Sequence, residues 1–209
     1  MEDTSRKHGI ENIFPRSEDE EQRYGRNKET TINHTYISSG DYRRKFDQIS
    51  DSPKLNRLLY QLSKKMLEHR SGTKYEDMYW IDPVSGTVIA EETESSSEEE
   101  IVYSDSTLGK IKQYGNLITL HSHPNSYPPS ISDLNSNCTN RYSVGIVVCH
   151  DGIIFRSASS QEIREVYYQM IVEKYLKSGY NEYEAQMQTI KELCTKFDIM
   201  VEEVTGDGT

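Results

Sequence analysis

The sequence predicts an α/β fold, with a mixed β-sheet of about five to six strands flanked by helices. Two observations indicate this class: short apolar runs bounded by turn residues, and other segments with apolar residues at helical spacing. The length of 209 residues with 34% hydrophobic residues suits one domain with a core. We expect that domain at 40–204, with a polar, flexible tail at 1–39 and a short C-terminal tail at 205–209.

The tail is assigned because 1–39 has few apolar residues and no periodicity, so it cannot bury enough surface to offset its ordering entropy. Ser52 and Pro53 then form an N-cap and first helical position for an amphipathic helix that extends to His69. The expected elements after this helix are, in chain order, strands at 76–81 and 87–90, a short helix at 106–114, strands at 117–120, 143–149 and 153–156, two helices between 160 and 196, and an edge strand at 198–204.

Local signals support these later elements. Turn residues at 82–86 join the first two strands into a hairpin, and those at 150–152 join a second hairpin. The segment 91–100 holds six Glu and no Lys or Arg, which predicts a solvated loop or strand edge. A docking surface for a basic partner is the less favoured alternative there.

The last two helices have predicted caps. Ser160 is expected to cap the first, and Asn181 with Glu184 begins the second. The apolar residues of the first helix, Val166 and Met170 among them, recur at helical spacing and are expected in the core.

Composition limits the function classes. A net charge of −10 disfavours binding to a phosphate backbone, which depends on Lys and Arg. The mean hydropathy of −0.79 and the absence of a long apolar stretch or apolar leader predict a soluble, cytoplasmic chain without a membrane partner. Three widely spaced cysteines favour reduced thiols, with Cys149 in the core.

The most informative stretch is LITLHSHPNSYPPSISDLNS, residues 117–136. Residues two apart on a strand point to the same side, so His121 and His123 should project together. The prolines that follow stiffen the loop leading to Ser130, the predicted N-cap of a short helix with Asp133 in its first turn. A capping box alone would explain Ser130 and Asp133, but not the two histidines upstream. Two imidazoles and one carboxylate supply three zinc ligands and leave one position open for water.

The segment HSHPNSYPPSISD resembles the signature of the JAMM (also JAB or MPN-plus) zinc metalloproteases, H-x-H followed after about seven residues by S-x-x-D. Six residues separate His123 from Ser130 here, so the loop is one residue shorter. The resemblance covers about 76–156 and looks most like the bacterial and phage-associated, RadC-like branch. It implies a cytidine-deaminase-like architecture, one zinc ion held by His121, His123 and Asp133, and a glutamate at the start of an earlier strand that contacts the zinc-bound water.

Glu76 is the residue that matches this glutamate, with Asp77 and Glu91 as less favoured candidates. The resemblance implies hydrolysis of a peptide or isopeptide bond, with Glu76 as general base and then acid. Ser130 is expected to donate a hydrogen bond to the developing oxyanion. The expected partner is a protein or peptide substrate, such as a ubiquitin-like tail or a phage or toxin polypeptide.

Two other functions are weaker alternatives. One is an interaction or assembly module of a phage or mobile element, in which zinc is structural or vestigial. The other is a nuclease or repair factor, which the acidic balance disfavours.

Overall fold

The structure is a computed structural model that describes residues 30–206. Its helices over this range are α1 (His34–Ile37), α2 (Gly40–Phe46), α3 (Pro53–Arg70), α4 (Asp105–Ile111), α5 (Ile131–Thr139), α6 (Glu165–Lys177) and α7 (Glu182–Lys196). Its strands are β1 (Met78–Asp82), β2 (Thr87–Glu92), β3 (Ile118–His123), β4 (Val144–Cys149), β5 (Ile154–Ser159) and β6 (Ile199–Glu203). No helix within the described range is long and apolar enough to span a bilayer.

The six strands form one sheet in the order β2-β1-β3-β4-β5-β6. Strands β3 and β4 are parallel, and every other neighbouring pair is antiparallel. A parallel pair needs a crossover connection, which here consists of the proline-containing loop and α5. The predicted mixed α/β sheet is therefore confirmed, and β6 is the edge strand that the sequence indicated.

Helices cover both faces of the sheet. Helices α1, α2 and α3 pack on one face, where the buried side chains include Leu59, Leu67 and Leu120. Helices α5, α6 and α7 form a second apolar cluster with Ile199 of β6. Since side chains alternate along β3, Leu120 faces the first helical layer while His121 and His123 face the second side.

Two predictions about chain boundaries and caps are wrong. Residues 30–39, assigned to the flexible tail, belong to the packed domain because Ile32 and Ile37 are buried in its core; 1–29 and 207–209 lie outside the described residues. Ser160 does not cap α6, which begins at Glu165; its hydroxyl instead donates to the Asp198 carboxylate at 2.6 Å.

The core assignment on α6 is also partly wrong. Val166 and Met170 are 72% and 64% exposed, while Tyr168, Ile171 and Val172 are buried. The helix therefore packs against the core through Tyr168, Ile171 and Val172, and the side that carries Val166 and Met170 faces outward. The predicted burial of Cys149 is confirmed.

Candidate metal centre

Strand β3 places two histidines side by side in the middle of the sheet. His121 and His123 are both buried, and their rings meet edge to face with centroids 4.9 Å apart. The Nε2 atoms face each other at 3.1 Å. The predicted convergence of the two imidazoles follows from the two-residue period of the strand.

The crossover loop returns a carboxylate to these rings. Ser130 is the N-cap of α5 and Asp133 its third residue, and the two form a capping box. The Ser130 backbone N–H and hydroxyl both donate to Asp133 Oδ2, at 2.6 and 2.8 Å, and the Asp133 N–H donates back to the hydroxyl at 3.1 Å. These bonds fix the direction in which the Asp133 carboxylate points.

Three side chains thus converge on one point. Asp133 Oδ1 lies 3.2 Å from His121 Nε2, and Asp133 Oδ2 lies 3.5 Å from His123 Nε2. A tetrahedral ion with ligand bonds of 2.0–2.2 Å would separate neighbouring ligand atoms by about 3.3–3.6 Å. The observed separations are close to these values, so the buried group of His121, His123 and Asp133 is close enough to bind a metal ion.

The hydrogen-bond pattern also favours a cation at this point. His123 Nδ1 donates to the Tyr127 carbonyl at 2.8 Å, which leaves Nε2 of a neutral imidazole with a lone pair. That lone pair faces another imidazole nitrogen and a carboxylate, so a proton or a metal ion must separate them.

The pKa values reflect the same arrangement. Burial lowers the pKa of His123, but the hydrogen bond to Asp133 and the charges of Glu76 and Asp133 outweigh burial and raise it. Burial raises the pKa of Asp133, yet the charge of His121 and the hydrogen bonds from both histidines hold it well below its usual range.

Glu76 lies next to this group. The β1–β3 register pairs Met78 with His121, and continuing it by two residues puts Glu76 opposite His123. Two hydrogen bonds support that continuation. The Asp77 backbone N–H donates to the Ser122 hydroxyl at 3.1 Å, and the Ser122 backbone N–H donates to the Asp77 carbonyl at 3.1 Å. Glu76 therefore shares the sheet face of the histidines, although β1 begins two residues later than predicted.

The Glu76 residue is only 8% exposed, and no side chain or backbone group of residues 30–206 donates a hydrogen bond to its carboxylate. Burial raises its pKa to about 6, although the charges of His123 and His121 act in the opposite direction. A carboxyl group with this pKa can hold or release a proton near neutral pH.

The two other candidate carboxylates are elsewhere. Asp77 points to the opposite face of the sheet, where His69 and Arg70 bind it at 2.8 and 2.6 Å. Glu91 is exposed on strand β2. Of the three, only Glu76 lines the cleft that contains the histidines.

This cleft has a volume of about 460 Å³, and Glu76, His121, His123, Ser130 and Asp133 all contribute to its wall. Sequence reasoning missed several other wall residues, because they come from distant elements and carry no local motif. They include Glu99, Tyr103, Tyr142 and Glu182.

The chain was compared with protein-family models, with curated proteins and with solved structures, and none of the three comparisons gives a match.

Proposed function

We propose that the cleft is the active site of a zinc-dependent hydrolase of the JAMM type, which cleaves a peptide or isopeptide bond in a protein substrate. One observation carries the proposal: a group of two histidines and one aspartate lies beside Glu76, which is only 8% exposed, and all four residues line one open cleft. A structural zinc site normally has four protein ligands, whereas three are typical of catalytic sites.

The ligand types favour zinc over the common hard cations. Ca²⁺ and Mg²⁺ take oxygen ligands, while imidazole suits zinc and other transition metals. When bound, zinc would polarise the scissile carbonyl and lower the pKa of a water molecule toward about 7. His121, His123 and Asp133 would hold the ion, and the Tyr127 carbonyl would keep the His123 ring in the tautomer that presents Nε2.

Glu76 would act as the base and then the acid. Its carboxylate accepts a proton from the attacking water and delivers that proton to the leaving amine. The position of Glu76 in the cleft wall beside the histidines supports this role, and in the metal-free protein burial raises its pKa to about 6. In the described chain no hydrogen bond competes for its oxygens.

Ser130 has two tasks in this proposal. Its hydroxyl proton is directed at Asp133 Oδ2, so Ser130 first of all orients a metal ligand. To donate to a developing oxyanion, as we propose, the hydroxyl must rotate away from Asp133, while the Ser130 backbone N–H continues to hold that carboxylate. We also propose a cytoplasmic location, which the odd number and wide spacing of the three cysteines support.

The test uses the purified full chain with one equivalent of zinc, and pools of random-sequence peptides with linear or Lys-branched linkages, analysed by mass spectrometry. We expect cleavage that a chelator abolishes and zinc restores. The Glu76→Gln variant should retain zinc and lose at least about 100-fold in rate. Glu91→Gln, which removes an exposed carboxylate outside the cleft, should retain activity. Full zinc occupancy with no cleavage of any pool would contradict hydrolysis and support an assembly module.

A further inference from the structure

The walls of the cleft carry acidic side chains without basic ones. Among the residues that the structure describes, no Lys or Arg lines the cleft. The acidic lining residues are Glu76, Glu99, Glu100, Asp133 and Glu182. A divalent ion would balance the charges of Asp133 and Glu76, so the carboxylates of Glu99 and Glu100 add negative charge to the cleft wall even when a metal is bound.

One wall is held beside Glu76 by backbone contacts. Tyr75 and Glu98 form an isolated antiparallel bridge, and the Glu99 N–H donates to the Lys74 carbonyl at 2.9 Å. Glu99 has a φ of 56°, a left-handed conformation that costs free energy for a residue with a side chain. The segment 91–100, predicted as a solvated loop or strand edge, therefore starts on the edge strand β2 and is held at its other end next to the proposed base.

The carboxylates of Glu99 and Glu100 on this wall are exposed and have no ion pair within the described chain. Glu98, their neighbour, is different because Lys74 Nζ lies 3.7 Å from its carboxylate. Glu99 is also close enough for its negative charge to raise the pKa of Glu76. Neighbouring like charges repel one another, and a cation bound by these carboxylates would relieve that repulsion.

A further wall combines a carboxylate with aromatic rings. Glu182 is the first residue of α7, and the Tyr127 hydroxyl donates to its Oε2 at 3.2 Å. The ring of Tyr127 stacks on that of Tyr183, with centroids 6.3 Å apart and an angle of 23° between the planes. Tyr faces and carboxylates are the groups that bind the ammonium of Lys and the guanidinium of Arg.

We propose that the cleft selects substrates in which a Lys or Arg side chain lies within one or two residues of the scissile bond, and that Glu99 and Glu100 are the main residues that select it. The inference rests on the proposed function, which supplies the scissile bond. A volume of about 460 Å³ accommodates a short peptide segment. Acidic segments and phosphate-bearing ligands would be repelled by the same walls.

The experiment measures binding and cleavage separately. The probes are three fluorescein-labelled hexapeptide pools, random except for a central Lys, norleucine or Glu, titrated by fluorescence anisotropy with zinc-loaded protein. Wild type is compared with Glu99→Gln/Glu100→Gln and with the control Glu91→Gln/Glu94→Gln. The control removes the same charge from the same segment, but at exposed residues outside the cleft lining.

We expect wild type and the control to bind the Lys pool about tenfold more tightly than the norleucine pool, and the Glu pool least tightly. The cleft variant should lose most of this preference and keep its zinc and its melting temperature. Raising the salt concentration should reduce the preference, since the carboxylates at the rim are exposed.

Equal binding of the Lys and norleucine pools by wild type would overturn the inference, and so would an equal loss of preference in the control. If all three pools were cleaved at similar rates, the hydrolase would stand and the charge selection would be wrong. If the Lys pool were preferred in binding but never cleaved, the charge selection would stand and peptide hydrolysis would be wrong.

Discussion

Replacing Arg70 by methionine should strongly destabilise the protein, because Arg70 neutralises a buried carboxylate under the metal centre. Arg70 Nε lies 2.6 Å from Asp77 Oδ1, and the side chains are 9% and 1% exposed. Removing one partner of a buried ion pair costs about 3–5 kcal/mol, and after this change only the half-exposed His69 would still pair with the Asp77 carboxylate. For a domain of this size, that corresponds to a fall in melting temperature of about 6–20 °C.

His69 offers a matched control for this prediction. It also binds Asp77, at 2.8 Å, but its side chain is 47% exposed, so His69→Ala should cost only about 0–1 kcal/mol. The measurements are thermal and urea unfolding of the two variants and of Arg70→Met/Asp77→Leu, which should recover much of the loss because no charge remains buried. If Arg70→Met were no less stable than His69→Ala, the argument that Asp77 is an ionised, buried anchor would be refuted.

Three further predictions concern the cleft. Ser130→Ala should lower the free energy of unfolding in urea by about 0.5–2 kcal/mol, because the helix loses its cap. It should also lower the rate of cleavage by about 100-fold or more, because the oxyanion loses a donor. An unchanged rate would leave Ser130 only its role in orienting Asp133. In metal-free protein the pKa of His123 is raised, so protonated His123 stabilises the fold fully below about pH 6.5 and this stabilisation is lost at alkaline pH. The pKa of Asp133 is lowered, so its carboxylate stabilises the fold above about pH 4. Urea unfolding with chelator should therefore show a decline in stability from pH 6.5 to 9, and a flat profile would contradict the His123–Asp133 pairing. Gly145→Ala should cost about 1–3 kcal/mol in the same assay, because the added Cβ would lie 2.8 Å from the Asn137 side chain.

The metal group was predictable because its geometry is mostly local. His121 and His123 share a face by the period of a strand, and the Ser130–Asp133 capping box follows from four consecutive residues. The one-residue-shorter loop does not prevent Asp133 from reaching the histidines. Glu76 was assigned by the resemblance together with its place at the start of a predicted strand, and the β1–β3 register supplies the physical reason for its position.

What the sequence did not indicate depends on long-range contacts. The conformation of Glu99 follows from its pairing with the backbone around Lys74, and Glu182 reaches the cleft only because α7 begins there. The burial of Ile37 was missed because the core cluster to which it belongs is built largely from residues far along the chain, including Leu59 and Leu120. Helical periodicity gave an apolar surface on α6 but not the angle at which it packs, so Val166 and Met170 were misplaced.

The central claim is that His121, His123 and Asp133 hold one zinc ion with a position left open. The most direct test combines metal analysis with X-ray absorption at the zinc edge, on the wild type and on His123→Ala and Asp133→Ala. The account predicts one zinc per chain in wild type, two imidazole nitrogens and oxygen ligands at about 2.0–2.2 Å, and loss of stoichiometric zinc in both variants. Zinc retained in both variants, or a wild-type ion closed by a fourth protein side chain, would contradict it.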